Sequence, residues 1–215
     1  MKNRFELLIF DWDGTLMDSI GWIVHCMQTA AEQAGCQIPP AEAAKDVIGL
    51  SITRAMDTLF PDAGPELREQ LVRGYSQEYA SRPLGPEDLF AGVHEMLEEL
   101  NGAGYRLAVA TGKTRAGLQK ALQATGTEKL FYITRAADET ASKPDPLMLQ
   151  EIISHVDVPP ARALMIGDSI HDLQMAQNAQ ISAIGVSCGA HSEEILQQYR
   201  PLLCLQHPAE LLNII

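Results

Sequence analysis

The stretch ELLIFDWDGTLMDS at residues 6–19 runs four apolar residues, Leu7 to Phe10, straight into Asp11 and Asp13. A short run of this kind suits a strand covered on both faces, as in a parallel sheet. Carboxylates at the end of such a strand are costly to bury unless they are paired or bound to a cation. A turn that only had to be polar would not need two acids there. The chain must therefore place a compensating charge at the end of a central strand.

Five further runs share this character: RLAVA (106–110), FYIT (131–134), ALMI (163–166), AIGV (183–186) and, more weakly, LLCL (202–205). Helical patterns lie between most of them. Val93, Met96, Leu97 and Leu100 form one stripe, closed by Gly102 and Gly104. Leu118 and Leu122 form another, closed by Gly126. Leu149, Ile152 and Ile153 form a third, ended by Pro159 and Pro160. Strands alternating with helices predict an α/β fold with a parallel, Rossmann-like sheet.

Residues 17–85 break this rhythm, with helical patterns and no convincing strand. Ile20, Val24, Met27, Ala31 and Ala34 share a face that Gly35 ends. Ser51 caps a helix running to Phe60. Leu67, Leu71, Tyr75 and Tyr79 are spaced as a third helix, and Arg82 to Pro86 reads as a linker. The expected organisation is a core domain of residues 1–16 and 86–215, with a helical domain of residues 17–85 inserted after the first strand. A chain of 215 residues suits a core with an insert.

The formal net charge of −12 argues against non-specific binding to nucleic acid or to an anionic membrane. It leaves room for an anionic small molecule, because one bound cation reverses the local field. Cys26, Cys36, Cys188 and Cys204 form no CxxC and lie in apolar contexts, as expected of reduced thiols in a cytoplasmic protein. MKNRFELLIF is too short before its first acid for a signal peptide, and no apolar run is long enough to span a bilayer. The expectation is a soluble cytoplasmic protein, a monomer or homodimer, whose partner is a small molecule.

In an open parallel sheet, ligands bind beyond the carboxyl ends of the strands. Asp11, Asp13, Gly14 and Thr15 follow the first strand, Thr111, Gly112 and Lys113 the second, and Asp168, Ser169 and Asp172 the fourth. Lys143-Pro144 precedes the fourth. Oxygen ligands of this kind bind Mg²⁺, and a lysine and a hydroxyl can hold phosphate oxygens. Side chains alternate in extended chain, so Asp11 and Asp13 can point the same way. One could attack phosphorus while the other handles the leaving group's proton. A carboxylate is already ionised at neutral pH, and the acyl phosphate it forms is readily hydrolysed. A calcium loop starting at Asp11 would need Gly and Glu where Leu16 and Trp22 stand. A P-loop would need Gly in place of Leu107.

DWDGTLMDS, ATGK, SKPDP and GDSIHD resemble the four motifs of the haloacid dehalogenase superfamily, in that family's order and across essentially the whole chain. The inserted helices are similar to the α-helical cap of its phosphoglycolate-phosphatase-like branch. The resemblance implies that Asp11 is the nucleophile and a Mg²⁺ ligand. Asp13 is then the general acid and later the base, with its backbone carbonyl on Mg²⁺. Thr111 and the amide of Gly112 hold the transferring phosphoryl, and Lys143 offsets its charge. Asp168 binds Mg²⁺ directly, and Asp172 binds it through water or orients the site. The family's dehalogenases lack the second acid, so Asp13 points to phosphate esters. The implied activity is hydrolysis of a small phosphorylated metabolite, with phosphoglycolate the family-based expectation. The alternatives are a mutase of the β-phosphoglucomutase type and a phospho-accepting signalling or binding module.

Two residues depart from the family pattern: Trp12 stands for Phe or Leu, and Gln180 stands for a turn glycine. Arg54 on the inserted helices is the candidate to meet a second anionic group of the substrate. His171 reads as a solvated loop residue.

Overall fold

The computed structural model describes residues 4–215. Residues 1–3 of the expected core segment lie outside the described residues. Strands β1 (Leu7–Phe10), β2 (Arg106–Thr111), β3 (Ile133–Ala136), β4 (Ala163–Gly167), β5 (Ser182–Val186) and β6 (Cys204–Leu205) form one parallel sheet. Their order is β3-β2-β1-β4-β5-β6. The greasy run that opens the chain is thus the central strand, paired with β2 at Phe10↔Val109 and with β4 at Phe10↔Ile166.

Both faces of β1 are buried because side chains alternate along it. Leu8 and Phe10 join one cluster with helices α5 (Val93–Gly102) and α6 (Arg115–Thr125). Leu7 and Ile9 join another with α7 (Leu147–Val156) and α8 (Ile170–Asn178). The stripes at Val93–Leu100, Leu118–Leu122 and Leu149–Ile153 are the buried faces of α5, α6 and α7. A last short helix, α9 (Glu193–Gln197), covers β5 through Leu196.

Between β1 and α5 come α1 (Ile20–Gln33), α2 (Ala41–Asp46), α3 (Ile52–Leu59) and α4 (Pro65–Ser81). They have an apolar centre of their own, which includes Ile23, Met27, Ile48, Met56 and Leu71. The chain leaves the sheet and returns to it at one point. Met17 bridges Leu89, and the amide of Phe90 donates to the Leu16 carbonyl at 3.0 Å.

Three local readings change. The strand expected at 131–134 begins two residues later, because the 3₁₀ turn Glu128–Leu130 brings Phe131 under the sheet edge against Trp12. Trp12 itself is fully buried, and its Nε1 donates to Met17 Sδ. α2 carried no apolar stripe in the sequence, since Ala44 is its one buried residue. His171 lies in the first turn of α8, half-buried, not in a loop.

Gln180 keeps the turn that a glycine would make, with φ of 57°. A left-handed conformation costs an L-residue about 1–2 kcal/mol. Glycine removes that strain but adds chain entropy to the unfolded state. Gln180→Gly is therefore expected to stabilise the protein by up to about 1 kcal/mol. The measurement is a higher urea midpoint with an unchanged slope; a lower midpoint would show that the turn is not strained.

Candidate active site

Because β1 lies between β2 and β4, their carboxyl ends bring Asp11, Thr111 and Asp168 together. The Asp11 amide donates to the Ile166 carbonyl at 2.9 Å, carrying the ladder one residue past Phe10. Gly14 then turns the chain at a φ of 77°. A Cβ there would lie 2.1 Å from Asp168 Oδ2, so both conformation and space demand glycine. Lys143 enters from the segment between β3 and α7. Asp172 enters from the first turn of α8, where Ser169 and Asp172 form a reciprocal capping box.

Lys143 is fully buried, and its Nζ lies 2.7 Å from Asp11 Oδ1 and 2.7 Å from Asp172 Oδ1. Burial alone would lower its pKa. The two carboxylates outweigh burial and hold the pKa above the ordinary lysine value, so the ammonium persists. Asp168 accepts from Thr15 Oγ1 at 2.8 Å and from the Ala190 amide at 2.7 Å. Asp172 Oδ2 accepts from Ser169 Oγ at 2.6 Å. Asp11, Asp168 and Asp172 can each turn an oxygen into one small space, with those atoms within 4.8 Å of one another. Three carboxylates around one ammonium leave excess negative charge. Burial first, opposed by Lys143 and reinforced by the neighbouring acids, raises Asp11 well above the carboxylate range. Burial, then Asp172, push Asp168 up to about 7.

Asp13 is held from two sides. Ser19 Oγ donates to its Oδ1 at 2.7 Å, and Lys113 Nζ lies 3.1 and 3.0 Å from its two oxygens. Lys113 also donates to the Tyr79 hydroxyl on α4 at 2.8 Å. The lysine thus ties an acid of the core to an inserted helix. Burial opposes its charge, but Asp13 and then Tyr79 raise its pKa above the ordinary value. Asp11, Asp13, Thr111, Gly112 and Lys113 line one wall of a cavity of about 460 Å³. Its other walls come from α1, α3 and α4, from the segment between α2 and α3, and from α6 of the core. Here the inserted helices sit directly on the core. A Cβ on Gly112 would meet the Leu50 carbonyl at 2.4 Å, and the Ser51 amide donates to Ser142 Oγ at 2.9 Å.

The structure brings Asp11, Asp13, Thr111, Gly112, Lys143, Asp168 and Asp172 to one sheet edge, and it does not bring Arg54 there. Arg54 lies exposed on α3, outside the cavity lining, because Ser51 caps the helix at the Arg54 amide and Ala55 takes the inward place. Tyr75 and Tyr79, read in the sequence only as a helix face, line the cavity instead. His171 Nε2 lies 2.8 Å from the Asp46 carbonyl, and the buried His191 ring lies 3.6 Å from the Asp46 carboxylate. The sequence held no spacing signal for that junction, since its residues are far apart in the chain.

The family described as haloacid dehalogenase-like hydrolase matches residues 8–186. Among curated relatives, a probable phosphatase, IndB, of Dickeya dadantii is 36% identical over 91% of this chain and 86% of its own length. A phosphoglycolate phosphatase of Psychrobacter arcticus is 29% identical over 91% of this chain and 89% of its own. A pyrophosphatase, PpaX, of Listeria monocytogenes is 27% identical over 100% and 98%. Among solved structures, a haloacid dehalogenase-like hydrolase of Bacteroides fragilis superimposes with a TM-score of 0.87 at 26% identity. It covers 96% of this chain and 99% of its own.

The donor set, oxygen throughout with surplus negative charge, fits a hard divalent cation. Its electrostatics also set a pH dependence. Asp168 titrates at about 7 when folded and near ~3.9 when unfolded. Below both values it is protonated in both states. Between them only the unfolded chain releases the proton, so stability falls as pH rises through that window. In chelator, the melting temperature is expected to be lower at pH 8 than at pH 5.5. Mg²⁺ is expected to raise it more at pH 8, where a cation replaces the missing proton. Equal Mg²⁺ shifts at both pH values would refute this coupling.

Proposed function

From the chain's membership of the haloacid dehalogenase-like hydrolase family, in which it is a phosphatase, we propose that it hydrolyses small phosphomonoesters through an aspartyl-phosphate on Asp11, with Mg²⁺. The carrying observation is Lys143, placed 2.7 Å from both Asp11 and Asp172 at the ends of adjoining elements. Mg²⁺, held by Asp11, Asp168 and the Asp13 carbonyl, with Asp172 behind, would supply charge stabilisation to the phosphoryl oxygens.

The chain's own groups supply the rest. The Asp11 carboxylate attacks phosphorus, forming the P–O bond to the enzyme as the bond to the alcohol breaks. Asp13 gives its proton to the departing oxygen and then takes one from the water that hydrolyses the acyl phosphate. Ser19 and Lys113 keep Asp13 aimed. The Thr111 hydroxyl and the Gly112 amide donate to phosphoryl oxygens, and the Lys143 ammonium neutralises the charge gathering around Asp11. Residues 17–85 act as a cap, with α1–α4 closing over the substrate and excluding water. The four cysteines are free, which suits a reducing compartment, and we take the cytoplasm as the place of action. No helix among the described residues is long and apolar enough to cross a membrane.

The test is phosphate release from p-nitrophenyl phosphate with Mg²⁺ or chelator, using wild type and Asp11→Asn. Chelator is expected to abolish release, and Asp11→Asn to lower it by at least ~10³-fold. Rapid acid quench of the wild type should recover phosphate on Asp11. An Asp11→Asn variant with full activity would refute the mechanism. Isomerisation of a sugar phosphate without phosphate release would replace the phosphatase with the mutase.

A further inference from the structure

The cavity above Asp11 has a polar floor and apolar walls. Ile23 and Met27 of α1, Ile48, Ile52 of α3, and Tyr75 and Tyr79 of α4 face it. The two tyrosine rings stack, with centroids 5.8 Å apart. About 460 Å³ is a volume suited to a substantial organic group rather than a two-carbon chain.

A substrate with a second anionic group needs a cation to meet it, because an unpaired buried carboxylate is heavily penalised. The cavity's cations are otherwise engaged or peripheral. Lys113 is held by Asp13 and Tyr79. Arg82 pairs with Asp88 and lies over the Trp22 ring. Lys120 of α6 is among the lining residues but is exposed, so it would meet an anion in water rather than in a desolvated pocket, and Arg54 is not among the lining residues. Tyr75 is a polar group on the otherwise apolar side of this space: the half-buried residue packs against the apolar centre of the inserted helices and lines the cavity. Burial, then the charge of Asp13, keep its hydroxyl protonated and therefore a donor.

We propose that the preferred substrate is a phosphomonoester of an apolar, ring-bearing alcohol, packed against Ile23, Met27, Ile48 and Ile52, with Tyr75 donating one hydrogen bond to it. This rests on the phosphatase reading and names the substrate class of that same site. Phosphoglycolate, small and twice anionic, is the substrate class that it excludes as preferred.

The test is kcat/KM for acetyl phosphate, benzyl phosphate, 1-naphthyl phosphate and 2-phosphoglycolate under one Mg²⁺ concentration. Benzyl and naphthyl phosphate are expected to exceed 2-phosphoglycolate by at least tenfold. Ile52→Lys, at the half-buried start of α3, should cut the benzyl-to-phosphoglycolate ratio at least tenfold. Tyr75→Phe should raise KM for 4-methoxybenzyl phosphate several-fold more than for benzyl phosphate. Turnover of 2-phosphoglycolate above the aryl esters would overturn the inference and leave the phosphatase reading standing. An unchanged ratio in Ile52→Lys would also overturn it. Failure to turn over any of the four, acetyl phosphate included, would remove the phosphatase reading and this inference with it.

Discussion

The Lys143 ammonium, fully buried and touching Asp11 and Asp172, is the contact on which the site depends. Removing one partner of such a buried pair leaves an uncompensated charge and is strongly destabilising. The pairing therefore locks three segments together: the end of β1, the segment before α7 and the first turn of α8. Asp172 serves twice, since its other oxygen closes the capping box with Ser169. Charge placed in this way is already oriented before a phosphoryl group arrives, and preorganised charge needs no rearrangement during reaction.

The inserted helices are attached to this centre differently. Their own cohesion is apolar, through Ile23, Met27, Met56 and Leu71. Their hold on the core is a short set of polar contacts, including Ser51 to Ser142, Asp46 to His171, and Tyr79 to Lys113. Both covalent connections pass through the Met17–Leu89 bridge. The inserted helices thus combine an apolar interior of their own with a few polar contacts to the core. The Tyr79–Lys113–Asp13 chain then links the position of the helices to the aim of an acid on the core.

Much of this was legible beforehand, for physical reasons. LLIF, RLAVA, ALMI and AIGV could be read as strands because burial on both faces leaves no polar position to interrupt them. FYIT was misplaced because Phe131 is apolar for a packing reason below the sheet edge, which a run of letters cannot distinguish from a strand. α2 escaped notice because a helix with one buried alanine has no stripe. Arg54 was chosen for its charge, but the phase of α3 turns it to solvent. Tyr75 and Tyr79 were recognised as sharing a face, and their neighbours across that face come from other helices.

The sequence by itself determined the sheet's central strand, the insertion after it and the set of acids, lysine and hydroxyl at the strand ends. Those features are local: a run of four apolar residues and the residues directly after it need no distant information. Only the tertiary structure decided that Lys143 bridges Asp11 and Asp172, that Lys113 reaches from Asp13 to Tyr79, and that the roof of the cavity is apolar. Each of these depends on segments far apart in the chain meeting at distances of about 3 Å, which packing sets and sequence spacing does not.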